Sequence, residues 1–238
     1  MRNLLSGSNP TAPTFSSPTA TASMYDARVS NMIRYESPDM GGVTVNALHT
    51  SNDGTEGPGG TGNSVNSLGA NWSAGPVFVG AAYQKDGFQQ GGLVTKKHDN
   101  AWRLAGSYDF SGLVLGLIYQ DLQDINGRDL NQKLEGLTAS YKLANNLVKF
   151  HYLIADDLKG SSAAGAQSDT GGQLWALGVD HSFSKTTLAY VNYAIAENDS
   201  NTKAYSVISG NAGHGENDLP TVNGKTVKGI SAGTVLNF

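Results

Sequence analysis

The sequence predicts an all-β fold, a transmembrane antiparallel β-barrel, and three observations carry that expectation. Five short polar turns, beginning at residues 37, 73, 109, 143 and 183, punctuate the 238-residue chain at nearly regular intervals. Between them lie pairs of segments in which apolar and polar residues alternate, joined by longer polar loops. The final segment ends on an aromatic residue, Phe238. Tilted strands of about ten residues cross an apolar layer of ~25 Å, and short turns on one side with long loops on the other are how a chain threads such a layer repeatedly.

A strand with lipid on one face and water on the other must alternate with a period of two. Eleven segments do so. Residues 28–36 set Val29, Ile33 and Tyr35 against Arg28, Ser30 and Arg34, and 43–50 set Val43, Val45 and Ala47 against Thr44 and Asn46. Segment 65–73 places Leu68, Ala70 and Trp72 on one side, and 77–85 places Val77, Val79, Ala81 and Tyr83 there. Trp102, Leu104 and Tyr108 then oppose Arg103, Ser107 and Asp109 in 100–109, while 112–121 presents Leu113, Leu115, Leu117 and Tyr119. The same rule gives Leu137, Ala139 and Tyr141 in 132–142, and Val148, Phe150, Tyr152 and Ile154 opposite Lys149 and His151 in 147–155. Trp175, Leu177 and Val179 oppose Gly178 and Asp180 in 173–182, and Val191, Tyr193 and Ile195 oppose Asn192 in 187–196. The last segment, 226–238, carries Ile230, Ala232, Leu236 and Phe238 outward.

Trp72, Tyr83, Trp102, Tyr108, Tyr119, Tyr141 and Trp175 lie near segment ends on the apolar side, where an interfacial aromatic girdle belongs. Inward positions include Gly69, Gly80, Gly116, Gly178 and Gly233. A soluble sandwich needs volume there to fill its core, and a wide lumen does not. The composition agrees. Hydrophobic content is 39% because only alternate wall residues need be apolar, and no stretch reaches the ~18 consecutive apolar residues of a spanning helix. Membrane residence must therefore come from a closed sheet. A net charge of -4 with no run of Lys or Arg disfavours nucleic acid as a partner. Absent cysteine removes disulfides and thiolate metal sites.

No catalytic or cofactor chemistry is expected. Gly229-Ile230-Ser231-Ala232-Gly233 matches a nucleophile elbow in letters, but that motif needs a following helix, and this segment reads as a strand. The histidines at 49, 98, 151, 181 and 214 lack metal-ligand spacing. Charged side chains lining a water-filled lumen bias diffusion through their local potential. The inward Arg28 and Arg103 are the leading candidates for that role, with Arg34, Lys149 and His151 peripheral. Carboxylates of the long loops, Asp121, Asp124, Asp129, Asp156, Asp157, Glu197, Asp199, Glu216 and Asp218, fall on the outer side and keep that surface solvated.

Segment Arg28 to Pro38, the Gly-Ala-Asn-Trp and Gly-Ala-Ala-Tyr endings at 69–72 and 80–83, Leu177 to Thr186 and terminal Phe238 together resemble the Gram-negative general porins, in particular the β-proteobacterial type. The resemblance implies a sixteen-stranded trimeric barrel in which these eleven strands are the sixth to sixteenth. Residues 1–27 would be the tail of the constriction loop and 28–238 the barrel strands. It further implies that Arg28 lies on the constriction wall and that Phe238, Leu236 and Ile230 form the signal read by the barrel-assembly machinery. Small hydrophilic solutes and ions, outer-membrane lipid and lipopolysaccharide are the implied partners. Strand parity points the same way: eleven strands require an odd number upstream, so the sequence reads as the later part of a longer chain. Its two edge segments should then stay unpaired or be forced together. The alternative is an adhesin-like barrel acting through long loops such as 197–225. A barrel lipase is disfavoured, since no outward serine has an outward histidine at matching height.

Overall fold

The computed structural model describes residues 32–50, 64–86, 99–125, 129–161, 167–202, 205, 207 and 222–237, excluding the side chains of residues 86 and 99. Residues 1–27, Arg28, Glu216, Asp218 and Phe238 lie outside that set. The chain forms one antiparallel sheet. Its strands are β1 (Met32–Glu36), β2 (Val43–Thr50), β3 (Val65–Ala74), β4 (Val77–Asp86), β5 (Asp99–Asp109) and β6 (Leu113–Gln123). They continue with β7 (Leu130–Leu143), β8 (Asn146–Ala155), β9 (Lys159–Gly160), β10 (Gly172–Ser182), β11 (Thr187–Asn198) and β12 (Thr226–Leu236). Every long strand pairs with its neighbour in sequence, and the two-residue β9 sits off this path beside β7. Among the described residues β1 and β12 are not paired with each other, so the sheet is open.

Because side chains alternate, a one-residue slip in any pairing would throw the apolar set onto the opposite face. No slip occurs. Tyr35, Ala47, Leu68, Tyr83 and Trp102 are successive cross-strand neighbours from β1 to β5. Leu137, Tyr152, Trp175 and Ile195 make a second such row from β7 to β11. The resulting outward face is apolar and uncovered: Ile33 and Ile230 are each 77% exposed and Leu117 66%. So large a contiguous apolar surface belongs against lipid.

The turns obey local chemistry. Asp39 Oδ1 accepts the Gly42 N–H at 2.6 Å, and Asp109 Oδ1 accepts the Gly112 N–H at 2.9 Å, each closing a tight reversal. Gly75 takes φ 54° as the first central residue of the two-residue β3–β4 turn, the placement that matches strand twist. In the β7–β8 turn the equivalent residue is Ala144, with φ 51°. Most strand ends shift by a residue or two from expectation, and two of the shifts change the place of a carboxylate. β6 runs to Gln123 and β11 to Asn198, so Asp121 and Glu197 are strand residues rather than loop residues. β9 was not visible in the alternation because two residues carry no period.

A left-handed conformation costs a non-glycine residue ~1–2 kcal/mol, part of which glycine returns through its freer unfolded chain. Ala144→Gly is expected to stabilise the sheet by about 0.5–1 kcal/mol, measured as a higher urea midpoint in detergent micelles.

Candidate functional site: the inward wall and its loop end

The inward face carries charge in paired form. Arg103 of β5 donates through Nε to Gln120 Oε1 of β6 at 2.6 Å, directly across the strand pair. Lys149 of β8 reaches over β10 to Asp180, with Nζ at 2.6 and 2.8 Å from the two carboxylate oxygens and both side chains largely screened. The sequence places Lys149 as a peripheral inward cation. Its field is instead cancelled locally by a partner two residues along the neighbouring strand, the kind of close pair that ionised hydrogen bonds stabilise. Arg34 pairs with Glu36 at 2.8 Å near the β1–β2 turn, where both side chains are about half exposed, as befits a rim. His151 faces inward between Thr138 and Ala176. Arg28 is outside the described residues.

Small residues on this face do not simply leave lumen space. A Cβ on Gly178 would meet Asn192 Oδ1 at 2.3 Å and Lys149 Cε at 3.2 Å, so the missing side chain is what lets Lys149 cross to Asp180. At Gly233 the ring of Tyr190, its cross-strand partner, occupies the corresponding position. Asn192 Nδ2 also lies 3.4 Å from Ser231 Oγ. Neighbouring side chains thus lie along the wall in the gaps that glycine opens.

On the outward face, the predicted aromatics bracket the apolar band. Trp72, Tyr108 and Tyr141 lie toward the turn end, and Tyr83, Trp102 and Trp175 toward the loop end. Tyr83 and Trp102 are cross-strand partners with ring centroids 4.7 Å apart, and Tyr83 Oη donates to Asn100 Oδ1 at 2.7 Å. Tyr119 stands inside the lengthened β6, but the next outward residues, Asp121 and Gln123, are polar, so it still marks the band's edge. Beyond the aromatics runs a polar row in register, His49, Asn66, Lys85, Asn100 and Gln123. His49 and Asn66 are joined at 2.8 Å. Ile230 and Leu236 also face outward and are exposed.

Among the described residues, the loop end of the inward face is where a closed core forms. Ala101, Leu122, Ile125, Leu130 and Leu158 make one buried cluster, and Ala155, Leu174, Ala196 and Tyr205 another. Two loops interlock above them. Asp157 Oδ1 accepts the N–H groups of Thr170 and Gly171 at 2.8 and 2.9 Å, while Asp199 N–H donates to Gly171 O at 3.1 Å and Asn201 N–H to Asp169 O at 2.8 Å. Burial opposes the charge of Asp157, yet the N–H groups of Gly171, Thr170 and Asp169 with nearby Lys159 outweigh it and hold this carboxyl below its usual range. Asp199 goes the other way, raised by burial and by the charges of Asp157 and Asp169.

The signs of these two shifts are opposite. A depressed carboxyl stabilises the interlock above its unfolded pKa and loses that contribution as acid protonates it, whereas a raised one opposes the interlock once ionised. Asp157→Asn is therefore expected to loosen the loops at neutral pH and converge with the unsubstituted chain in acid. Asp199→Asn should tighten them at neutral pH and likewise converge in acid. Amide exchange of residues 167–171 across pH reads both; a same-sign response from the two variants would contradict the assignment.

A family model described as Gram-negative porin matches residues 4–201. Two structures of OmpT, an outer-membrane protein of Vibrio cholerae, are similar to the chain: one folded in vitro and in its trimer form, the other expressed in the outer membrane. Their TM-scores are 0.58 and 0.60 at 16% and 15% identity, covering 86% of this chain and 64% of theirs. A solved porin gives a TM-score of 0.52 at 15% identity over 87% of this chain and 60% of its own. The chain therefore spans less than two thirds of the length of these structures. No curated protein matches. The fold likeness and the family model together locate the chain in the bacterial outer membrane as a β-barrel protein. With most of its length under one family model and its strands threaded as in solved porins, the chain belongs to the Gram-negative porin family.

Proposed function

We propose that the chain forms the wall of a water-filled pore through which ions and small hydrophilic solutes diffuse passively across the outer membrane. The observation that supports this best is the division of one sheet into an apolar, exposed outward face and an inward face bearing Arg103, Gln120, Lys149, Asp180, Asn192 and Ser231. Lipid selects for the first and water for the second. A pore needs both edges of the sheet closed, so the wall is completed by further strands pairing with β1 and β12. One matched structure is described in a trimer form. We extend that arrangement to a homotrimer here, with lipopolysaccharide and lipid around it and the barrel-assembly machinery reading Ile230, Leu236 and Phe238. The chain acts as a channel rather than an enzyme, and the adhesin reading is not favoured.

Of the inward charges, Arg103 and the Lys149–Asp180 pair are assigned the selectivity. Arg103→Glu reverses a charge on the wall and is expected to shift permeability toward cations. Asp180→Asn uncovers Lys149 and is expected to shift it toward anions. Reversal potentials in planar bilayers under a salt gradient measure both. No current from a closed barrel that contains these strands would sink the pore reading, and unmoved reversal potentials in a conducting barrel would sink these residue roles.

A further inference from the structure

Across the outward face, β1 to β4 present Tyr35, Ala47, Leu68 and Tyr83 in one row. Ala47 is small beside its neighbours, and a groove of about 470 Å³, lined mostly by apolar atoms, lies over Ala47 and Leu68 with the two tyrosines at its sides. On the loop side the groove is bounded by the next outward row, His49, Asn66 and Lys85, all exposed. That row is rich in donors. An amide oxygen can only accept, so His49 Nδ1 donates to Asn66 Oδ1 at 2.8 Å and occupies the acceptor end of the Asn66 side chain. The Asn66 amide nitrogen and the Lys85 ammonium, on cross-strand partners, make no hydrogen bond among the described residues. No carboxylate lies on the outward face of β1 to β4 among the described residues; Asp121, on β6, is the first met along the sheet.

We propose that this groove seats a membrane lipid whose headgroup carries phosphate, with one acyl chain over Ala47 and Leu68 and the phosphate oxygens taking hydrogen bonds from Asn66 Nδ2 and Lys85 Nζ. Charge complementarity selects this occupant: an amide NH2 and an ammonium with no nearby carboxylate match an anionic, acceptor-only head, and charged donors make the stronger hydrogen bonds. The apolar floor lies inside the band that faces hydrocarbon, so the tail stays in its own solvent while the head meets the polar row. A lysine that merely extended its stem toward water would accept any headgroup; the donor pair beside a groove distinguishes phosphate from the rest. The proposal rests on residence in the outer membrane and not on the pore reading.

The test uses a closed barrel that contains these strands, held in detergent, with phosphatidic acid or phosphatidylcholine of matched chains added and the first bound lipid followed by native mass spectrometry. Phosphatidic acid is expected to bind about fivefold more tightly or better. Lys85→Gln should remove that preference and leave phosphatidylcholine unchanged. Ala47→Phe, which fills the groove and keeps Lys85, should weaken phosphatidic acid severalfold. Equal binding of the two lipids overturns the phosphate assignment, and undiminished binding to Ala47→Phe overturns the groove. Competition by inorganic phosphate as effective as that by the lipid would leave a headgroup site without a chain and overturn the lipid. Loss of a contact between barrels in Ala47→Phe, with lipid binding kept, would give the groove to a second copy instead. Lys85→Gln alters an exposed strand end and carries the test if Ala47→Phe does not fold. None of these readouts is a current, so a failure of the pore reading leaves them intact.

Discussion

Inside hydrocarbon there is no water to satisfy a peptide group, and each unpaired N–H or C=O costs several kcal/mol. That requirement governs the rest of this molecule. It forces every long strand into an unbroken antiparallel ladder with its sequence neighbour, and such a ladder fixes the register of all strands at once. Once the register is fixed, so is the face on which each residue lies. The outer edges of β1 and β12 lack strand partners among the described residues, and the same cost demands that a membrane-embedded wall pair them.

The two faces then answer to different physics. Outward side chains need only be apolar, with aromatic and polar rows where the apolar band ends, as at Tyr83–Trp102 below Lys85 and Asn100. Inward side chains must remain solvated or satisfy one another. They do the second by lying along the wall: Lys149 crosses Gly178 to Asp180, and Tyr190 covers Gly233. Among the described residues the inward face becomes dry toward the loop end, where Leu122, Ile125, Leu174 and Tyr205 are buried. The inward face is thus polar along the middle of the strands and capped by small apolar clusters under the interlocked loops.

Most of the wall was legible in the sequence because a period of two is a local property. Eleven segments, their faces and their short turns could be read from alternation, and within the described residues the strand pairings preserve those faces. Features that depend on cross-strand register were not legible. The Lys149–Asp180 pair joins residues 31 apart, and nothing in either segment announces the other. Asp121 and Glu197 looked like loop carboxylates because they follow the apolar run, although the ladder continues past them; Glu197 accepts a hydrogen bond from Gln173 on β10. Tyr205 sits in a polar, aperiodic segment, and only its contacts with Gln132 and Asn198 distinguish it. Its one sequence signal was a lone aromatic in an otherwise polar loop.

The division of a single sheet between lipid and water is open to direct measurement because the chain contains no cysteine. Single cysteines placed in turn at residues 147 to 152 of β8, in protein residing in the outer membrane, should react with a small charged thiol reagent at 147, 149 and 151. They should resist it at 148, 150 and 152. Reactivity that alternates in the opposite phase, or does not alternate, would contradict a wall with lipid on the Phe150 side and water on the Lys149 side.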